Sequence, residues 1–186
     1  FFVAGIGDAL SKKFEAEQCF NSGGMNFYKA RPAGLAVAIA NQCYQVIRRD
    51  AVASLAAADS KEPDAAFENI VEATILLSGL GFESGGLSIA HSLTRGFSAL
   101  PSLNASLHGE QVAFGLLAQF CLEQRPADFL IDMIGFYKQL GLPTSLTNLG
   151  FSGDVAEGIQ VIAERSVAEA PYLKQFVGAV TVETVA

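Results

Sequence analysis

Only two histidines occur in this chain, His91 and His108, and their positions make them candidates for chemistry. Neutral imidazole is the commonest protein ligand for zinc and similar ions, and two histidines plus one carboxylate form a set that leaves a coordination position open. His91 falls within one helical pattern and His108 starts the next, so two antiparallel helices joined by a loop at Pro101 can bring them together. The alternative is a pair of structural histidines, each buried and bonded to a backbone carbonyl. Nineteen acidic residues are available to complete the set, so spacing alone leaves the carboxylate open. Asp8 stands out locally, because it lies between Val3-Ala4-Gly5-Ile6-Gly7 and the apolar face of Ala9 and Leu10, where an unpaired carboxylate is costly. It also reads as an ordinary residue of a helix N-terminus, favoured by capping and the macrodipole. Glu15, further along the same helix, reads as a solvated charge.

The run Gly79-Leu80-Gly81-Phe82-Glu83-Ser84-Gly85-Gly86 is the other local signal. Before a helix, such a run is either a tight turn that admits a ligand to the backbone or a C-cap followed by an N-cap. It is not a P-loop, since GxxxxGK[ST] is absent, and no strand precedes it as a dinucleotide fingerprint requires. No GxSxG nucleophile elbow occurs either.

The elements that must position these residues are helical nearly throughout, with apolar residues three and four apart, and an all-α multi-helix bundle is expected. The first helix is placed from about Gly7-Asp8 to just before Asn21-Ser22-Gly23-Gly24. A second has Pro32 in its first turn and a break at Asp50; a third opens at Pro63 and ends at Gly79-Leu80-Gly81. Ser84 is expected to cap a fourth, with Ile89, Leu93, Gly96 and Phe97 on its apolar stripe and His91, Thr94 and Arg95 on a polar side. After a loop from Pro101 to Leu107, helices run from His108 towards Glu123, from Pro126 to Leu140 and from Val155 to Glu169, with a short segment after Pro171.

At 186 residues with 51% hydrophobic and 17% charged residues, the chain has the size of one domain, 1–186, and is too apolar for disorder. A net charge of −7, with no basic cluster beyond the pairs Arg48-Arg49 and Lys12-Lys13, disfavours nucleic acid and anionic membranes as partners. Three cysteines without a CxxC pair fit a reducing cytoplasm. The apolar run Ile75 to Phe82 is interrupted by Ser78, Gly79 and Gly81, so no membrane span is expected. An opening Phe1-Phe2-Val3-Ala4 reads as the edge of a piece of something longer, and the low charge fits a surface covered by another domain or subunit.

Three segments together resemble a known family: Gly5-Ile6-Gly7-Asp8-Ala9-Leu10 with Glu15 following, Ser78 to Leu87 leading to Ala90-His91, and His108-Gly109-Glu110 with Val112-Ala113-Phe114-Gly115. In order and spacing they look like the carboxy-terminal domain of glycerol dehydrogenase, within the wider iron-containing alcohol dehydrogenase superfamily. The resemblance implies the helical half of a dehydroquinate-synthase-like two-domain enzyme, whose amino-terminal α/β domain binds NAD. It implies that Asp8, His91 and His108 bind a catalytic zinc ion, and that Phe82 and the Gly85-Gly86 backbone shape a pocket for a polyol. The implied reaction is NAD-dependent oxidation of glycerol to dihydroxyacetone, in which a zinc ion with one carboxylate ligand favours an alkoxide over the neutral alcohol. A homo-oligomer is also implied, and the helical part alone would be inactive.

Departures from the family pattern refine these expectations. Iron-dependent relatives carry further histidines at the positions of Lys12 and Leu87, so a three-ligand zinc site matches better than a four-ligand iron site. Many glycerol dehydrogenases have histidine where this chain has Thr94. Dehydroquinate synthase uses Glu where Asp8 stands. The alternatives are a related dehydrogenase for a glycerol phosphate or another vicinal diol, and a metal-free helical assembly module whose imidazoles point apart.

Overall fold

The computed structural model describes residues 1–186 and contains no β-strand. Its helices are α1 (Phe2–Asn21), α2 (Gly34–Ser60), α3 (Ala65–Glu72), α4 (Ser78–Gly85), α5 (Ile89–Phe97), α6 (His108–Leu122), α7 (Ala127–Leu140), α8 (Val155–Glu169) and α9 (Val182–Val185). A π-helical turn, Ala73–Leu77, joins α3 to α4, and short 3-10 turns occupy Pro101–Leu103 and Leu173–Gln175. The all-α expectation holds, and α6, α7 and α8 start and stop within a residue or so of where capping and proline signals put them. Asp154 caps α8 by accepting from the Glu157 amide, Gly141 ends α7 in the left-handed region, and the Glu110 carboxylate accepts from the Leu107 amide at the start of α6.

Five expected boundaries are corrected. α1 begins at Phe2, not Gly7, because its first turn is fixed by packing of the residues around Ala4 and Ile6 instead of by a local cap. α2 begins only at Gly34, leaving Pro32 in the extended approach. It runs unbroken through Asp50, whose carboxylate accepts from Arg49 and from the Asn69 amide. The third helix does not stop at Gly79-Leu80-Gly81 but continues to Gly85. Ser84 therefore lies inside α4 and caps nothing; α5 begins after Ser88.

Those glycines serve close packing. A Cβ on Gly81 would meet the Ala40 Cβ at 3.1 Å, and one on Gly85 would meet the Ala16 Cβ at 2.8 Å, so α4 lies tight against α2 and α1. By length and hydropathy alone, Ala65–Gly85 would suffice to cross a bilayer. Here one side of that run, with Ile70 and Ala73, joins the core, while Ile75, Leu76 and Leu80 stay exposed.

α1 is central to the bundle and touches α2, α4 and α6. Its row Ile6, Leu10 and Phe14, spaced four apart, meets Ile47, Leu116, Phe120 and Met133 in the larger core. A second core gathers Ile89, Leu93 and Phe97 of α5 with Leu149 and Ile162. α6 touches α1 on one side and α5 on the other, and small residues set both distances. A Cβ on Gly109 would stand 1.9 Å from the Ala4 carbonyl oxygen, and one on Gly115 would stand 2.6 Å from that of Ala90. Gly109→Ala must therefore push α6 away from α1, at a cost of about 1–3 kcal/mol for overpacking. The adjacent His108 would shift with it. A denaturant melt reads the stability loss, and an unchanged midpoint would contradict this account of the crossing.

Candidate metal centre

Four polar residues on α1, Asp8, Ser11, Lys12 and Glu15, follow the three-and-four spacing of one helical stripe, and that stripe turns inward towards α5. Glu15 is wholly buried and Lys12 is 4% exposed. The expectation of a solvated Glu15 is thus corrected. One of its carboxylate oxygens accepts from the backbone amides of Ser88 and His91 at 2.9 and 3.0 Å, while the other accepts from the Ser11 hydroxyl at 3.0 Å and the His91 Nδ1–H. A carboxylate from α1 thereby caps the N-terminus of α5, where no local side chain does so and where the helix dipole favours negative charge. Gln119 of α6 completes the cap by accepting from the Ala90 amide at 3.1 Å.

This tertiary cap also fixes His91. With Nδ1–H committed to Glu15, Nε2 is the nitrogen turned towards Asp8, whose Oδ1 lies 3.0 Å away, and in the neutral ring it is the one that carries the lone pair. His108, the first residue of α6, brings its Nε2 to 3.9 Å from the same Oδ1. The three ligand atoms of Asp8, His91 and His108 all lie within 4.8 Å of one another, and the two imidazole centroids are 5.5 Å apart. Zinc–ligand bonds of about 2.0–2.2 Å are compatible with that spacing, and one carboxylate oxygen with two imidazole nitrogens is a donor set that suits zinc with an open position. The residues fit a divalent ion.

The local charges suit such a site. Burial opposes ionisation of Asp8, yet the Lys12 ammonium and His91 outweigh it and hold this carboxyl well below the usual carboxylate range. Burial likewise opposes the Glu15 charge, and contact with His91 and Lys12 reverses the balance, so its pKa is also lowered. For His91, burial disfavours the imidazolium, but the Glu15 and Asp8 carboxylates together raise its pKa. Burial and the neighbouring His91 lower that of His108, which favours the neutral, ligating form of this exposed imidazole.

A cavity of about 360 Å³ opens directly over the three ligand atoms. Phe82 lines it, together with Thr74, Ile75, Ser78 and Leu87. The π-helical turn presents Thr74 and Ile75 to this wall, a use in keeping with the occurrence of such turns at functional sites. Gly85 and Gly86 are not on it. They lie behind, where Cβ atoms would meet Ala16 and the Cys19 sulfur, so the expectation that their backbone shapes the pocket is corrected. Thr94 turns its hydroxyl back onto the His91 carbonyl at 2.7 Å and does not line the cavity.

Two residues of the site were not foreseen in their roles, Glu15 and Lys12. Their signal was available in the sequence as the helical spacing that places them on the Asp8 face. The Lys12 ammonium donates to Asp8 Oδ1 at 2.9 Å and to His91 Nε2 at 3.0 Å.

No protein-family model matches the chain. Glycerol dehydrogenase of Thermotoga maritima is 39% identical over 166 residues, which are 89% of this chain and 46% of that protein. Glycolaldehyde reductase of Halobacterium salinarum is 36% identical over 173 residues, 91% of this chain and 47% of that protein. The crystal structure of a probable glycerol dehydrogenase from Sinorhizobium meliloti superposes with a TM-score of 0.96 at 40% identity, covering 100% of this chain and 52% of that one. The chain spans about half the length of the curated relatives it matches. Continuous similarity over nearly all of its residues, at a fold likeness this high, means that the chain belongs to the glycerol dehydrogenase family and corresponds to the carboxy-terminal, all-α half of its relatives.

Proposed function

We propose that residues 1–186 form a single metal- and substrate-binding unit of an NAD-dependent, zinc-dependent polyol dehydrogenase that oxidises glycerol to dihydroxyacetone. The observation that carries this reading is the convergence of Asp8, His91 and His108 within 4.8 Å below a cavity walled by Phe82. It is supported by similarity to enzymes named for a vicinal triol and for a two-carbon hydroxyaldehyde. A metal-free assembly module predicts imidazoles pointing apart, and here they meet.

In this proposal Asp8, His91 and His108 hold the ion. Zinc bound there supplies Lewis acidity, stabilising negative charge on the substrate oxygen that loses its proton. Glu15 fixes the ring and tautomer of His91. Asp8 contributes the one negative ligand charge, which leaves the site net positive and suited to an alkoxide. Phe82 and Leu87 present apolar walls against the carbon skeleton, and Ser78 lies on the same wall. A glycerol phosphate fits less well. Arg95 is exposed and not part of the cavity wall, and the cation that is there, Lys12, is already bonded to Asp8 and His91.

NAD is assigned to an α/β domain outside these residues, with the exposed Ile75, Leu76 and Leu80 beside the cavity as apolar surface for another domain or subunit to cover. A homo-oligomer and a reducing cytoplasmic setting complete the proposal, the latter in keeping with three free cysteines. The test is glycerol-dependent reduction of NAD by the complete two-domain enzyme that contains these residues. Activity should disappear after dialysis against a chelator and return with zinc. Metal-independent turnover, or turnover of glycerol phosphate in preference to glycerol, would refute it.

A further inference from the structure

Lys12 follows Asp8 by one helical turn on α1, so its side chain runs along the same inward face. Its ammonium is all but buried and sits over the Phe82 ring, 5.9 Å from the centroid. It donates to Asp8 Oδ1 and His91 Nε2, two atoms themselves 3.0 Å apart. Lys12 thus binds the same oxygen and the same nitrogen lone pair that the proposed metal requires. The imidazole Nε2 has one lone pair, which cannot serve an ammonium hydrogen and an ion at about 2.0–2.2 Å together.

We propose that Lys12 is a built-in competitor for the metal. Resting on the reading of Asp8 and His91 as ligands, the argument has two parts. Without metal, the ammonium neutralises Asp8, faces the buried Glu15 charge and keeps the ligand cluster assembled. When a divalent ion enters, the flexible stem must withdraw the ammonium into the cavity, where it stays close enough to repel the ion. A unit charge about 6 Å from a divalent ion, at an effective dielectric near 20, weakens binding by ~100-fold or more even after allowance for solvent at the open side. The consequence is a metal held loosely and exchanged readily, in a site whose three ligands would otherwise hold it more tightly.

The experiment is a zinc titration against a competing chelator at fixed pH, comparing the protein with its Lys12→Met variant. Lys12→Met retains the length and apolar stem without the charge, and Lys12→Gln repeats the test with a polar side chain should the first variant fold poorly. The expected result is zinc binding tighter by ~100-fold in the neutral variants, a lower melting temperature without zinc, and a larger rise in melting temperature on adding zinc. Lys12→Arg, which keeps the charge, should not bind more tightly than the original protein. Equal or weaker zinc affinity in both neutral variants, with zinc still bound by the original protein, would overturn the competitor role alone. Failure of the original protein and all variants to bind zinc would overturn the metal reading as well.

Discussion

Replacing His108 with alanine is expected to weaken zinc binding by about 100-fold and to abolish most polyol turnover, while the metal-free fold keeps its stability. The magnitude follows from structural zinc sites, where about 10–16 kcal/mol is shared among four ligands, or roughly 3 kcal/mol per ligand. The selectivity follows from position. The His108 side chain is 62% exposed at the first turn of α6 and fills no part of the core. The start of that helix is secured by Glu110 on the Leu107 amide, which the substitution does not touch. The metal-free stability should therefore stay within the range of ordinary surface substitutions, about ±0.5 kcal/mol. Chelator competition and a thermal melt check the two halves. Undiminished zinc affinity would remove His108 from the ligand set.

The second large effect is expected at Glu15, a residue that touches neither the cavity nor the proposed ion. In Glu15→Gln the amide oxygen can still accept from the Ser88 and His91 amides, but its NH2 then faces His91 Nδ1. That ring nitrogen becomes an acceptor, the proton moves to Nε2, and the lone pair offered to a metal is lost. Zinc affinity should fall by about 10–100-fold, the usual scale for removing a carboxylate that orients a metal-binding histidine. Lys12 also loses a buried countercharge. Stability should drop by roughly 1–3 kcal/mol, the cost of a weakened buried charge-assisted bond. The sign of the pH dependence is fixed by the lowered pKa of Glu15: its stabilisation is complete at neutral pH and is lost as pH falls through the acidic carboxylate range. The variant should lack that component and show a shallower loss of stability in acid. Identical acid limbs by circular dichroism, together with unchanged zinc affinity, would contradict the role of Glu15 in orienting His91.

What could be read from the chain itself divides along physical lines. The all-α class and the starts of α6 to α8 rest on local signals, three-and-four periodicity and turn-forming prolines and glycines, whereas the set Asp8, His91 and His108 is implied by the family resemblance of short motifs in fixed order, spacing alone leaving the carboxylate open. Failures came where the deciding contact is distant in sequence. A glycine-rich run reads as a helix terminator because its cost in a helix is intrinsic. Yet Gly81 and Gly85 are helical here because their bareness lets α4 approach Ala40 and Ala16. Ser84 has the side chain of a cap, but the N-terminus of α5 is capped by a carboxylate 73 residues earlier in the chain. Glu15 looks solvated in any local window, and only the docking of α1 against α5 buries it.

The sequence by itself determined that two histidines and one of several carboxylates could ligate a metal and that they ride on helices, since both follow from side-chain chemistry and from the period of the backbone. Only the tertiary structure decided that Asp8, His91 and His108 meet, which His91 nitrogen faces inward, and that Lys12 lies among them. Those outcomes depend on interhelical distances set by Gly109 and Gly115 and on a charge buried by packing, neither of which any single helix encodes.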